Sequence, residues 1–254
     1  MKAPSSILIT GGSSGIGAAL AGCYAADGVR LALSGHDRTR LDAVAAACRA
    51  QGAEVETAIL DVADADVTGQ WVRDADDARP LDLVIANAGI AGGGDSGVGR
   101  GVTATKRILA VNVDGVINTV TPALERMLAR RAGQIAIMSS LAAFRGMPAA
   151  PAYCASKAAV RSWGEALRAR HARDGVAINV ICPGFVKSRI TDKNQFPMPL
   201  LMETARAAEI MRRGLAANKA RIAFPLRMYW AAWLLGALPP GLVDGMLSRM
   251  PSKE

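Results

Sequence analysis

The chain is short of the groups that staple small folds or grip nucleic acids. Of its 254 residues, 4% are aromatic, 2 are His and 4 are Cys. The thiols stand at Cys23, Cys48, Cys154 and Cys182, with no C-x-x-C pair and only His36 and His171 to assist them. That spacing offers no zinc site, so no metal is expected. Long apolar segments are missing too: the longest nearly uncharged stretch, Met228 to Pro240, stops well below the ~20 residues of a membrane span. The opening MKAPSSILITGG carries a short apolar run that ends in a glycine turn, unlike a secretory leader. A reducing, cytoplasmic setting is the expectation.

What the chain has in quantity is apolar residues, 51%, and glycine, 26. Disorder is excluded on that composition. A chain of this length buries roughly 70–75% of its unfolded surface and needs no disulfide or metal. One α/β unit can absorb all of residues 1–254, with 226–254 as a C-terminal helical extension. The formal charge of +8 comes from Arg scattered over helical faces, as in LERMLARR and LRARHAR, with little aromatic interleaving. That describes a solvated basic surface, and no nucleic-acid partner is expected.

Short apolar runs recur at Ser6–Ile9, Val29–Leu33, Val55–Leu60, Leu81–Ala86, Gln134–Met138, Ala177–Ile181 and Ala220–Phe224, with longer helix-period segments between them. Apolar runs of this length alternating with amphipathic helices predict parallel strands buried on both faces. The expected architecture is a Rossmann-type, doubly wound parallel sheet of about seven strands with helices on both faces. Ala91–Gly101, AGGGDSGVGRG, is too rich in glycine for helix or strand and is expected to be a loop at the carboxyl end of the fourth strand, beside the ligand crevice.

Thr10–Gly17 reads TGGSSGIG, directly after the strand SILI and directly before a helical run. Gly11 allows the tight turn, Gly15 lets backbone N–H groups approach a pyrophosphate, and Gly17 lets the helix pack close to the strand. Ser13, Ser14 and Ile16 fill out that turn. The helix start then offers oriented N–H donors and about half a positive charge to an anion.

The spacing G-x-x-x-G-x-G resembles the glycine signature of the short-chain dehydrogenase/reductase family. Further residues carry the resemblance in family order: Asp61-Val62, Asn87-Ala88-Gly89, Asn112 in VNVDG, Ser140, Tyr153-x-x-x-Lys157 and Pro183-Gly184. The resemblance implies a nicotinamide dinucleotide across the crevice. Asp61 and Val62 would border its adenine, Asn87 to Gly89 its ribose, and Pro183, Gly184, Val186 and Ser188 its nicotinamide.

NADP(H) is favoured over NAD(H). An NAD site uses a carboxylate at the end of the second strand for the ribose 2′-OH, whereas a 2′-phosphate needs positive charge there. NAD-preferring relatives carry the acid at the position of Gly35 here, in Leu33-Ser34-Gly35-His36-Asp37-Arg38. Ser34 can donate a hydrogen bond, His36 stands where NADP-preferring relatives often have Arg, and Arg38 supplies a cation. Asp37 counts against this unless it serves as a helix N-cap.

Tyr153 and Lys157, at i and i+4 of a helix-period segment, fall on one face with Cβ atoms roughly 5–6 Å apart. A phenol titrates near ~10, and a neighbouring ammonium is expected to lower that. By the resemblance Tyr153 is general acid in carbonyl reduction and general base in alcohol oxidation, while Ser140 orients the carbonyl oxygen. Lys157 would tune Tyr153 and hold the ribose, and Asn112 would anchor a proton-relay water. Ser139 is assigned to the strand end.

Substrate choice is expected to lie in 141–151, 187–218 and the glycine loop. Segment 196–215 opens with Pro and Met and continues as an amphipathic helix, and its Met198, Leu200, Leu201 and Met202 form an apolar lid or pack plainly. Relatives often end in a V-D-G-G tail that builds a tetramer interface. Here a Leu-rich run with Tyr229, Trp230 and Trp233 leads through Pro239-Pro240 into GLVDGMLSRM. Three roles remain open for 226–250: packing on the chain's own core, a homodimer or homotetramer contact, or contact with a membrane surface. A ketone or alcohol, with an apolar one favoured, is the expected substrate. The rival is a non-catalytic dinucleotide sensor on the same fold.

Overall fold

The computed structural model describes residues 3–91, 101–189, 191–192 and 197–248. In chain order the elements are β1 (Ser6–Ile9), α1 (Gly15–Tyr24), β2 (Arg30–Gly35), α2 (Arg38–Arg49), β3 (Glu54–Ile59), α3 (Ala65–Ala78) and β4 (Leu83–Ala86). After these come α4 (Gly101–Leu109), a π turn (Ala110–Asp114), α5 (Gly115–Ala129), β5 (Gly133–Met138), a 3-10 turn (Leu141–Ala143) and α6 (Pro151–Arg170). The last are β6 (Val176–Pro183), α7 (Thr204–Ala216), β7 (Arg221–Phe224), α8 (Leu226–Ala237) and α9 (Pro240–Leu247).

The strands form one seven-stranded sheet in the order β3-β2-β1-β4-β5-β6-β7, all pairs parallel. Strand β1 is central because its residues pair on both sides: Ile7 faces Leu31 of β2 and Leu83 of β4. Alternation along β1 splits the core in two. Ile7 and Ile9 join Leu20, Leu41 and Met211 from α1, α2 and α7, whereas Leu8 joins Val72, Val120 and Val160 from α3, α5 and α6. Each such large buried side chain contributes roughly 1.5–3 kcal/mol, and burial on both faces is what makes these strands read as continuous apolar runs. The strand order reverses between β1 and β4, which opens a crevice at their carboxyl ends.

Helix starts follow local chemistry. The Asp37 carboxylate accepts the Arg40 N–H at 3.0 Å to cap α2, and the Asp64 carboxylate accepts the Val67 N–H at 3.1 Å to cap α3. Strand β6 outruns the expected Ala177–Ile181 because both neighbours pair with it, as far as Pro183 opposite Phe224. The helix expected to follow the Pro- and Met-containing opening of segment 196–215 begins at Thr204. Pro197 and Pro199 disfavour helix before it, and the Met202 N–H donates to the Phe185 carbonyl at 3.0 Å, which ties this stretch to the β6 end. Gly101, expected in the loop, opens α4; residues 92–100 of that loop lie outside the described residues.

The carboxyl end is helical. Met228, Tyr229 and Ala232 of α8 pack on a third cluster of Leu141, Val180 and Cys182. Arg221 Nε donates to Glu165 at 2.9 Å, its Nη1 donates to the Tyr229 hydroxyl at 3.0 Å, and its guanidinium lies 5.2 Å from the Phe144 ring centre. Val243 and Leu247, one turn apart on α9, are buried. The Val243-Asp244-Gly245 triplet is therefore interior to a helix. None of the described helices is long and apolar enough to cross a membrane.

Candidate active site

The glycine turn joins β1 to α1 at the crevice. Gly11 and Gly15 have φ of 69° and 54°, the left-handed region that a side chain makes costly. A Cβ on Gly17 would press into the Gly11 carbonyl, and one on Gly15 would meet Ser188 Cβ at 3.2 Å. Ser14, extended at φ −168°, caps α1 without a side-chain hydrogen bond, so the first-turn N–H groups stay available to an anion. The Thr10 hydroxyl fastens β4 to this turn by accepting the N–H groups of Asn87 at 3.0 Å and Ala88 at 3.1 Å. The Asn87 amide answers by donating to the Thr10 carbonyl at 2.9 Å. Ile16 leans on the first core cluster, and Ser13 lies against Gly35, where an added Cβ would come within 2.8 Å of Ser13 Cβ.

At the other end of the turn the charges sort themselves. The Asp37 carboxylate caps α2 and pairs with Arg40 at 2.9 Å. Asp61 pairs with Arg107 of α4 at 2.8 Å and lies 3.9 Å from His36. Although burial pushes the Asp61 carboxyl up, the Arg107 hydrogen bond and charge and the Ala63 N–H together hold it below the usual range. Arg38 is exposed and has no ion-pair partner among the described residues. The Ser34 hydroxyl is buried and lacks a partner among the described residues. Val62 is buried beneath Gly115, and its carbonyl accepts from Asn118 at 3.0 Å.

The central cluster lies where the π turn, β5 and α6 meet. π turns are frequent at functional sites, and Asn112 sits inside this one, fully buried. Its Oδ1 accepts the Ile90 N–H at 2.8 Å, and its Nδ2 donates to the Ile90 carbonyl at 2.9 Å and to the Ser156 hydroxyl at 3.0 Å. Gly89 is pressed between Asn112 and Lys157, since a Cβ there would lie 3.2 Å from both Asn112 Oδ1 and Lys157 Nζ.

Tyr153 and Lys157 share one face of α6, with Nζ 5.9 Å from the phenol ring centre. The ammonium donates to the Met138 carbonyl at 3.0 Å, and burial pulls its pKa down to about 8. Burial pushes the half-buried Tyr153 phenol up, opposed by its hydrogen bond with Ser140. The lowering expected from Lys157 is therefore corrected: in the chain alone burial dominates, and the group that opposes it is Ser140, not Lys157. Of the two serines, Ser139 donates to the Lys157 carbonyl at 2.8 Å, and Ser140 is the one that reaches the phenol. Ser140 Oγ accepts the Ala142 N–H at 3.1 Å, and besides the phenol its own proton can reach the Pro183 carbonyl, 3.5 Å away, at the limit of a hydrogen bond.

The β6 end closes the cluster. The Gly184 N–H donates to the Phe224 carbonyl at 2.7 Å, Val186 is buried and bridged to Met202, and the Ser188 N–H donates to the Thr191 hydroxyl at 2.8 Å. Met202 packs on the core, whereas Leu200 and Leu201 point outward. A cavity of about 690 Å³ lined by Phe144, Met147, Cys154, Ala158 and Leu247 lies on the side of α6 away from Tyr153 and Lys157.

Arg107, Thr10, Ser156 and Thr191 were not singled out from sequence. Thr10 had a signal, since it opens the TGGSSGIG motif. Arg107 had none, because only the fold brings α4 to Asp61.

Comparison with known proteins agrees with this geometry. The family model for short chain dehydrogenase matches residues 5–197. An uncharacterized oxidoreductase of Myxococcus xanthus is 39% identical over 244 residues, 96% of each chain. A 2-(S)-hydroxypropyl-CoM dehydrogenase of Xanthobacter autotrophicus is 36% identical over 183 residues, 72% of this chain and 71% of its own. Among solved structures, a short-chain dehydrogenase from Sphingobium yanoikuyae in complex with NADPH superposes with a TM-score of 0.78 at 25% identity, covering 98% of this chain and 97% of its own. The protein belongs to the short-chain dehydrogenase family and is an oxidoreductase; its chain runs on past β7 into the apolar helices α8 and α9.

Proposed function

We propose that the protein interconverts a ketone and a secondary alcohol with NADP(H), and that Tyr153, Ser140, Lys157 and Asn112 carry the proton chemistry. The observation that carries this reading is the Tyr153–Ser140 hydroxyl pair above the buried Lys157, at the crevice where the glycine turn ends.

The cradle fits a dinucleotide. Gly11, Gly15 and Gly17 leave the space and the N–H groups for a pyrophosphate, Asn87 to Gly89 form the wall beside a ribose, and Pro183 to Ser188 close over the turn at Gly15. The bound nicotinamide supplies or accepts hydride. Tyr153 Oη gives its proton to the carbonyl oxygen in reduction and recovers it in oxidation. Ser140, hydrogen-bonded to the phenol in the chain alone, turns its hydroxyl to the same oxygen. Burial raises the phenol further, which suits it to donate its proton when a carbonyl is reduced. The Asn112 side chain, committed to Ile90 and Ser156, fixes the backbone beside Lys157 where a relay water would be held.

Three features favour the 2′-phosphate. Gly35 leaves no carboxylate and no room for one against Ser13. Both nearby acids are neutralised, Asp37 by its cap and Arg40, Asp61 by Arg107. Arg38 is left as an exposed cation two residues from His36, with no ion-pair partner among the described residues. Loss of NADPH absorbance against small ketones, long-chain 3-oxo compounds and steroids tests the proposal. Turnover of at least one class supports it. Tight NADPH binding with no turnover of any would instead make the chain a sensor.

A further inference from the structure

We infer that the outer face of α8 is a self-association surface, occupied by the same helix of a second copy of this chain about a two-fold axis. The inner face of α8 is already used, with Met228, Tyr229 and Ala232 on the third core cluster. Leu226, Trp230, Trp233 and Leu234, spaced i, i+4, i+7 and i+8, form one stripe on the opposite side and are 66, 58, 46 and 56% exposed. No residue of the helix is fully buried, and its one charge is Arg227. A helix apolar all round belongs inside something larger.

Charge and area decide what covers it. Docking on an anionic bilayer draws on clusters of about 4–8 Lys or Arg. The described residues of α8 and α9 supply Arg227 and, against it, the exposed Asp244. An aromatic patch stripped of charge is instead the composition of a protein interface core. The four side chains expose on the order of 500 Å² of apolar surface, at the upper end of what monomers leave bare. Covered on two copies, this comes to about 1,000 Å², the threshold of a stable interface, before Leu242 and Met246 of α9 are added.

The stripe is also complementary to itself. Its bulky residues lie toward the start of α8 and the small Ala237 at its end. With the helices antiparallel and the axis passing beside Trp233, Trp230 of each copy falls over Ala237 of the other, the isologous arrangement that closes at two. The contact would bear on the catalytic loops, because Tyr229 stacks edge-on against Phe144 at 5.6 Å and a Cβ on Gly184 would lie 2.8 Å from the Met228 sulfur.

Sedimentation velocity of the full chain at about 1 and about 50 μM tests the inference. Leu226→Glu and Trp230→Glu alter exposed positions, and their circular dichroism should match the parent. Each is expected to halve the mass of the parent species at the higher concentration. The inference is overturned if the parent is monomeric at both concentrations, or if both folded variants keep its mass. It also falls if the parent stays monomeric and floats with phosphatidylserine-containing vesicles while Leu226→Glu does not, because lipid would then be the occupant.

Discussion

Lys157 donates to the carbonyl of Met138 at 3.0 Å, although the phenol of Tyr153 lies one helical turn away on the same face. Two groups thought of as a couple thus meet different surroundings. Desolvation acts on both in the direction of neutrality, raising the phenol and pulling the amine down to about 8. A protonated phenol above a reluctant ammonium is suited to donating a proton to a carbonyl.

The rates in the two directions should accordingly part with pH. Reduction needs the neutral phenol, so it should change little from pH 6 to 8. Oxidation needs the phenolate and should climb through the same range and beyond. Initial rates in both directions, at saturating cofactor, provide the check.

Lys157 also makes a stability prediction. Its amine titrates at 10.5 when unperturbed and at about 8 when folded, so between those values the unfolded chain binds more protons. Lys157 by itself should therefore make the stability of the cofactor-free protein rise from pH 8 to 10.5, on a slope that the buried thiols and the Tyr24 and Tyr153 phenols, all raised by burial, oppose from about pH 9 upward; below 8 the buried ammonium is a constant cost on the order of 3 kcal/mol. Lys157→Met should flatten that slope and raise the melting temperature by a few degrees at pH 7, with turnover lost. Thermal melts at pH 7, 9 and 10 compare the two proteins.

Arg38→Ala should weaken NADPH roughly tenfold and leave NADH within about twofold, since only the phosphate offers the exposed guanidinium a charge-assisted partner. Titrating both cofactors by fluorescence measures the ratio. Equal losses for the two would remove Arg38 from phosphate recognition.

Asn112→Ala removes three hydrogen bonds and strands the N–H and carbonyl of Ile90. The expected cost is on the order of 3 kcal/mol, about 10 °C in melting temperature, with a lower kcat and little change in KM. Calorimetry and steady-state kinetics on one preparation separate the two effects.

The parallel sheet and the glycine turn were legible because burial on both faces and the turn's steric needs write themselves into consecutive residues: SILI followed by TGGSSGIG leaves few alternatives. Tyr153 and Lys157 were legible for the same reason, since four residues on a helix fix their shared face. Pairings across elements were not. Nothing local in ATKRILA says that Arg107 will neutralise Asp61. The phenol's pKa was misjudged because spacing reports a neighbouring charge, whereas burial is a property of the assembled fold.

Tyr153→Phe provides the most direct test, because it deletes the proton and little else. Single-turnover reduction of a ketone that the parent accepts should slow by about 10²–10⁴-fold, while the affinity for NADPH stays within about threefold. Reduction by Tyr153→Phe at close to the parent rate would contradict the assignment of the proton to this phenol.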